Sequence, residues 1–183
     1  GSCEDNIALE MGGGYISGLN EKTVAYGFNN ITNETKPTQL DVYLDRSVVN
    51  VYVSTQFYWR SKATDSNGNA VEYSTQTRNV FVVLPPVKQY DDGHIVRIRR
   101  AVNGNSKVFI VPNKSYRLNL TDGWNDIYSE TEGDSVILNG ADTYLTQSNP
   151  LELSVGQTAE FMFVRNLSVT INGVKYQGVW VKL

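Results

Sequence analysis

The chain has 183 residues and a formal net charge of −3, and 40% of its residues are apolar. This is enough for one generous β-domain or two small ones, with a core that needs no covalent staples. The charge balance argues against a nucleic-acid surface, the single cysteine excludes an intramolecular disulfide, and no apolar run approaches the roughly 18 residues that cross a bilayer.

Aromatic residues are unevenly distributed by type, with eleven Tyr and three Trp against six Phe. A tyrosine ring with a polar tip tolerates partial exposure, so this bias fits either binding surfaces or ordinary strand preference. Cys3 follows Gly-Ser near the start. It reads either as a lipid-attachment site left by signal removal or as an incidental residue beside a tag scar. Five Asn-x-Ser/Thr sequons, at Asn30, Asn33, Asn113, Asn119 and Asn166, are read as products of an Asn-, Ser- and Thr-rich composition.

Residues 1–14 are polar and glycine-rich, ending in Gly12-Gly13-Gly14, and read as a flexible lead-in or as a first strand entered late. Tyr15 to Phe28 suggests a hairpin turning near Leu19 to Lys22, and a polar loop runs from Asn29 to Pro37. Leu40 to Leu44 and Val48 to Trp59 follow as strong strand candidates. In the second, Val49, Val51, Val53 and Thr55 alternate with Asn50, Tyr52, Ser54 and Gln56. Alternation with period two sets an aliphatic face against a polar-aromatic one. Asn67-Gly68 then signals a hairpin turn, with Val71 to Arg78 returning.

Val80 to Leu84, His94 to Ile98 and Lys107 to Val111 form three further apolar runs bounded by Pro, Gly, Asn or Asp. In the middle run Ile95, Arg97 and Arg99 alternate with Val96, Ile98 and Arg100, a half-buried strand with a charged face. Pro85-Pro86 cannot donate to a ladder and marks a sheet edge or corner, and Asn103-Gly104-Asn105 gives a tight turn. Later strand candidates are Asp134 to Leu138, Leu151 to Val155, Ala159 to Val164, Val169 to Ile171 and Gly178 to Leu183. Turns fall at Asp122-Gly123, Asn139-Gly140, Gly156-Gln157 and Asn172-Gly173. Such spacing predicts an all-β chain built as an antiparallel β-sandwich, jelly-roll or immunoglobulin-like, or as two small β-domains. Helix is nearly absent, and the best candidate is one short turn near Trp124 to Tyr128.

The order of signals from residue 79 onward carries a resemblance. Leu84-Pro85-Pro86 ends a strand, Gly93 leads a strand with basic residues, and a hairpin through Asn103-Gly104 enters Val108 to Val111. Asp122-Gly123-Trp124, then Gly156-Gln157, then a terminal strand holding Gly178 and Trp180 complete it. This resembles the β-rich distal modules of bacteriophage tail fibres and related virion fibres, over residues 79–183. The resemblance implies a virion appendage module that trimerises, meets other virion proteins and either shapes the fibre or touches a host glycan or protein. Residues 1–78 match no such pattern, so a boundary near residue 78 is expected. Tyr176-x-Gly178-x-Trp180-x-Lys182 is also similar to the last strand of bacterial fimbrial subunits, which implies a surface adhesin, or a lipoprotein acylated at Cys3.

Chemistry-bearing constellations are sparse. His94, the one histidine, stands beside Asp91-Asp92 but has no nucleophile motif with it, and one His with a remote Cys supplies no zinc set. Asp122, Asp126, Glu130, Glu132 and Asp134 could place two carboxylates for glycoside hydrolysis, or hold calcium, or form a solvated loop. Trp124, Asn125, Asp126 and Tyr128 combine ring faces with amide and carboxylate groups, as a sugar-binding surface does. Arg97, Arg99 and Arg100 are the one basic cluster, expected to serve as cross-strand or intersubunit partners of acidic residues or to blunt a sheet edge. The expectation is a non-enzymatic, homotrimeric virion module without cofactor, metal, nucleic acid or membrane insertion. The alternatives are a bacterial adhesin and a carbohydrate-binding or carbohydrate-active domain.

Overall fold

Alternation decides which way each strand faces. In β5 (Gln56–Ser61), Phe57, Trp59 and Ser61 are buried while Gln56, Tyr58 and Arg60 turn outward. In β8 (Ile95–Arg100) the buried set is Val96, Ile98 and Arg100. The computed structural model describes residues 23–26, 30–44, 47–85, 92–102, 104–112, 135–146 and 148–183. Within these residues the chain is all-β, with no helix.

The remaining strands are β1 (Thr23–Tyr26), β2 (Asn30–Asn33), β3 (Leu40–Tyr43), β4 (Asn50–Val53), β6 (Tyr73–Thr77), β7 (Val80–Val83) and β9 (Val108–Val111). They continue with β10 (Ile137–Leu138), β11 (Tyr144–Leu145), β12 (Leu151–Leu153), β13 (Thr158–Ile171) and β14 (Val174–Lys182). They form a seven-stranded sheet ordered β1-β4-β8-β13-β14-β10-β11, a four-stranded sheet ordered β12-β9-β7-β3, and a three-stranded sheet ordered β2-β5-β6.

The inward faces meet in one apolar cluster, which makes the architecture sandwich-like. Val51, Val53, Val96, Ile98, Phe161, Phe163 and Trp180 come from the first sheet, and Leu40, Val42, Val80, Val82, Val108, Ile110 and Leu153 from the second. Ile31, Phe57 and Trp59 add the third sheet to the same core. Each such side chain contributes roughly 1.5–3 kcal/mol when fully buried.

The all-β expectation holds, but the pairing is not purely antiparallel. Parallel pairs join β1 to β4, β4 to β8, β3 to β7, β7 to β9, β2 to β5 and β10 to β14. The jelly-roll and immunoglobulin patterns are built from antiparallel sheets, so neither describes these pairings. The cause is the route of the chain. From β7 it crosses to β8 in the opposite sheet and returns to β9, and two reversals leave β7 and β9 running the same way.

The same route overturns two further expectations. Asn103-Gly104 does not close a hairpin between β8 and β9, because those strands lie in different sheets. Gly104 has φ +86, and a Cβ there would collide with the buried Thr55 hydroxyl, so the turn is pressed against the β4–β5 corner. The expected boundary near residue 78 has no counterpart either. β3 pairs with β7, β4 pairs with β8, and residues from both sides of that position share one core.

Val48 to Trp59, which reads as one strand, is two. The chain leaves the seven-stranded sheet after Val53 and enters the three-stranded sheet at Gln56, with Ser54 and Thr55 buried at the corner. Asn67-Gly68 does turn the chain between β5 and β6. The Asp65 carboxylate accepts the Asn67 and Asn69 N–H groups at 2.9 and 3.0 Å, which satisfies the turn locally. Asn172-Gly173 links β13 to β14 with φ of 50° and 80°, the two positive angles a tight two-residue hairpin loop requires.

Candidate interaction surfaces

β8 lies between β4 and β13, so its outward arginines have neighbours on both sides. Arg97 stands directly opposite Glu160, Nε to Oε2 3.6 Å, and its Nη1 donates to Asn50 Oδ1 at 3.4 Å. Both members of the ion pair are well exposed, so its contribution is at most about 1 kcal/mol. Arg99 donates to Thr158 Oγ1 at 3.2 Å. Arg97 thus meets an acidic residue across the strands, whereas the cross-strand partner of Arg99 is a hydroxyl.

Arg100 is different. Adjacent residues in a strand point to opposite faces, so it enters the interior beside Val96 and Ile98 and is 4% exposed. Nη1 donates to the Leu153 carbonyl at 3.1 Å, and Nη2 donates to the Ser106 carbonyl. Leu153 is in β12 and Ser106 precedes β9, so one guanidinium from the seven-stranded sheet ties down the four-stranded one. Burial lowers its pKa and nearby Glu152 opposes that. An arginine starts so high that it stays charged. The three arginines therefore do not form one cluster: two face outward and the third is an internal clamp.

His94 and Asp92 serve the backbone. His94 Nε2 lies 3.1 Å from the Val48 carbonyl, and its ring meets Trp180 edge-on at 6.3 Å. The His94 carbonyl accepts the Phe163 N–H, and the Phe163 carbonyl accepts the Gly93 N–H. Asp92 Oδ1 accepts the Arg165 N–H at 2.8 Å. Together they hold the entry to β8 against β13 at an irregularity in the β13–β14 ladder. The register there passes from Val164↔Val179 to Ser168↔Gln177, so β13 carries extra residues opposite Gly178. Gly178 has φ +85, and a Cβ on it would strike the Phe163 ring.

Two outward aromatic groups stand on the smaller sheets. On the three-stranded sheet Tyr58 and Tyr73 lie with ring centroids 5.7 Å apart and tilted by 45°. Tyr73 is 62% exposed and sits opposite Arg60, while Tyr58 sits opposite Thr75 and Arg60 neighbours Thr32. This face therefore mixes ring surfaces with a guanidinium and hydroxyls. Beneath its rim Lys36 Nζ lies 5.3 Å from the Trp59 ring centroid and pairs with Glu72 at 3.4 Å. On the four-stranded sheet the row Asp41, Phe81, Phe109, Glu152 runs across all strands. The two Phe rings stack at 5.0 Å. Burial raises the pKa of the Asp41 carboxyl, partly offset by a hydrogen bond from Gln39, and Glu152 pairs with Lys107 at 3.3 Å.

The residues proposed from sequence as a binding surface, Trp124, Asn125, Asp126 and Tyr128, lie outside the described residues, as do the acidic loop Asp122 to Asp134 and Cys3. The Tyr58–Tyr73 pair is absent from the sequence reading, although two signals point to it. Tyr58 has the parity of the polar-aromatic face of the Val48 to Trp59 run, and Tyr73 follows once the Asn67-Gly68 turn fixes the register. No family model, curated protein or solved structure matches the chain.

Proposed function

We propose that the chain is a non-enzymatic structural and adhesive module of a virion appendage, a tail or head fibre or spike, which assembles as a homotrimer and contacts a glycan or protein on the host surface. The observation that carries the adhesive part is the outward face of the three-stranded sheet, where exposed Tyr73 leans on Tyr58 beside Arg60 and Thr75. Ring faces pack on the C–H faces of sugars while guanidinium and hydroxyl groups take their oxygens. The fibre part rests on the resemblance carried by the order of strand and turn motifs over residues 79–183, apart from the Asn103-Gly104 hairpin, whose flanking strands lie in different sheets.

The test pairs solution mass by light scattering with binding of the full chain to a glycan array and to bacterial envelope preparations. A trimer is expected, together with binding that drops at least tenfold in Tyr73→Ala and in Arg60→Ala while the melting curve is preserved. A monomer that binds none of these surfaces would overturn the reading.

A further inference from the structure

Most guanidinium groups in this chain are spent inside it. Arg78 donates to the Pro37 and Thr77 carbonyls at 2.7 Å each, and Arg97 pairs with Glu160. Arg99 donates to Thr158, and Arg100 holds the Leu153 and Ser106 carbonyls. Arg60 is the exception. It is exposed on β5 and makes no hydrogen bond, ion pair or ring contact with the described residues. A guanidinium presents its N–H donors as a rigid planar fork, the shape that grips a carboxylate through two parallel bonds.

The groups around Arg60 are neutral. The outward positions of β5 are Gln56, Tyr58 and Arg60, and those of β6 are Tyr73, Thr75 and Thr77. Thr32 of β2 flanks Arg60 on its other side. Glu72 has the opposite parity from Tyr73 and pairs with Lys36, while Glu34, past the end of β2, makes no ion pair with Arg60. The face is also open, because Arg60, Thr32, Tyr73 and Thr75 are all exposed. Its geometry brings rings and cation together. The Ser61 N–H donates to the Glu72 carbonyl at 2.8 Å, so the next pair, Arg60 with Tyr73, is of the non-hydrogen-bonded kind whose side chains stand closest. Tyr58 lies two residues, roughly 6.7 Å, back along β5, and its ring meets that of Tyr73 at 5.7 Å.

We infer that this face selects acidic sugars, those whose ring bears a carboxylate, such as hexuronic and sialic acids. The sugar ring rests on Tyr58 and Tyr73 while its carboxylate takes the fork of Arg60, and the Thr32 and Thr75 hydroxyls serve its neutral oxygens. The chain has a net charge of −3, so its overall field repels an anion and the preference has to come from this local contact. The inference rests on the proposal that this face binds sugar, and it names the class of sugar.

The experiment titrates the full chain with matched probes: sialyllactose against lactose, and an oligosaccharide of glucuronic acid against its carboxyl-reduced form. The acidic member of at least one pair is expected to bind about tenfold more tightly. That advantage should shrink as salt is raised. Arg60→Gln is expected to erase it with an unchanged melting curve, since Arg60 holds nothing within the chain. Arg60→Lys keeps the charge without the fork and should restore only part of it. Tyr73→Ala should weaken both members of a pair alike. Equal binding within each pair, lost in Tyr73→Ala, would overturn the acidic class and leave a sugar-binding face standing. An acidic preference that survives Arg60→Gln would put the anion elsewhere and overturn the inference. Polyglutamate bound as tightly as the acidic sugar would show that the ring plays no part, and would overturn it too. A chain that binds none of the probes would overturn the inference together with the sugar reading of the face.

Discussion

The two halves of the β13–β14 hairpin share one turn and one alternating pattern, yet they live in different environments. In the half near the core, Phe161, Phe163 and Trp180 are fully or almost fully buried in the shared core, and β8 and β10 pair on either side. In the half beyond the irregularity at Val164 to Ser168, the ladder is β13 with β14 alone. There Val169 and Ile171 are only half-buried, and Ser168, Thr170 and Lys175 are exposed. Alternation makes a strand in both halves. What lies against the strand decides whether that alternation produces a core or a ribbon, and a two-stranded ribbon is marginal by itself.

The largest effect should come from emptying the buried half. Trp180→Ala removes the ring that packs on Phe163 at 5.6 Å and meets the His94 edge, and is expected to cost about 3–5 kcal/mol. Urea denaturation should show a lower midpoint with an unchanged slope, the mark of lost stability without a change in what unfolds. Arg100→Met tests the second tie between the sheets. It leaves the Leu153 and Ser106 carbonyls without that donor, and a loss of about 2–3 kcal/mol is expected. The loss is smaller than for an outright truncation, because Met fills part of the volume and no buried charge remains. If Arg100→Met were neutral, the clamp would be dispensable and packing alone would join the sheets.

The joint between the two halves is the next test. Gly178→Ala must place a Cβ at φ +85 and push the Phe163 ring aside. The left-handed backbone costs about 1 kcal/mol and overpacking adds about 1–3 kcal/mol. Hydrogen exchange should report faster opening on both sides of residue 178, because the ring that must move belongs to the buried half. Opening confined to residues 168–177 would show that the joint insulates the halves from each other.

Parts of this arrangement can be read directly from residues. Asn172-Gly173 specifies its turn because both positions need positive φ, and the parity of Arg97, Arg99 and Arg100 already places the third on the other face. The rest depends on contacts between distant segments. Nothing local at Ser54-Thr55 announces that the chain changes sheets, since the alternation continues through the corner. Parallel neighbours such as β7 and β9 arise from crossing the sandwich and returning, and such a crossing has the same turn residues as a hairpin. The Tyr58–Tyr73 face lay closer to hand, needing only one register.

The smallest expected effect is in the ribbon, and it tests the comparison from the other side. Val169 stands opposite Tyr176, and a cross-strand pair of this kind contributes roughly 0.2–1 kcal/mol. Val169→Ser should shift the global urea midpoint very little, because the ribbon opens well below the energy of whole-chain unfolding. Amide exchange at residues 168–177 should nevertheless quicken severalfold, while that of Phe161 and Phe163 stays at the parent rate. Asn172→Ala, which forces a side chain other than Asn or Gly into φ near 50°, should produce the same local pattern through the turn instead of the pair. If either variant lowered the global midpoint as far as Gly178→Ala does, the ribbon would belong to the cooperative core, and half-burial would have understated its packing.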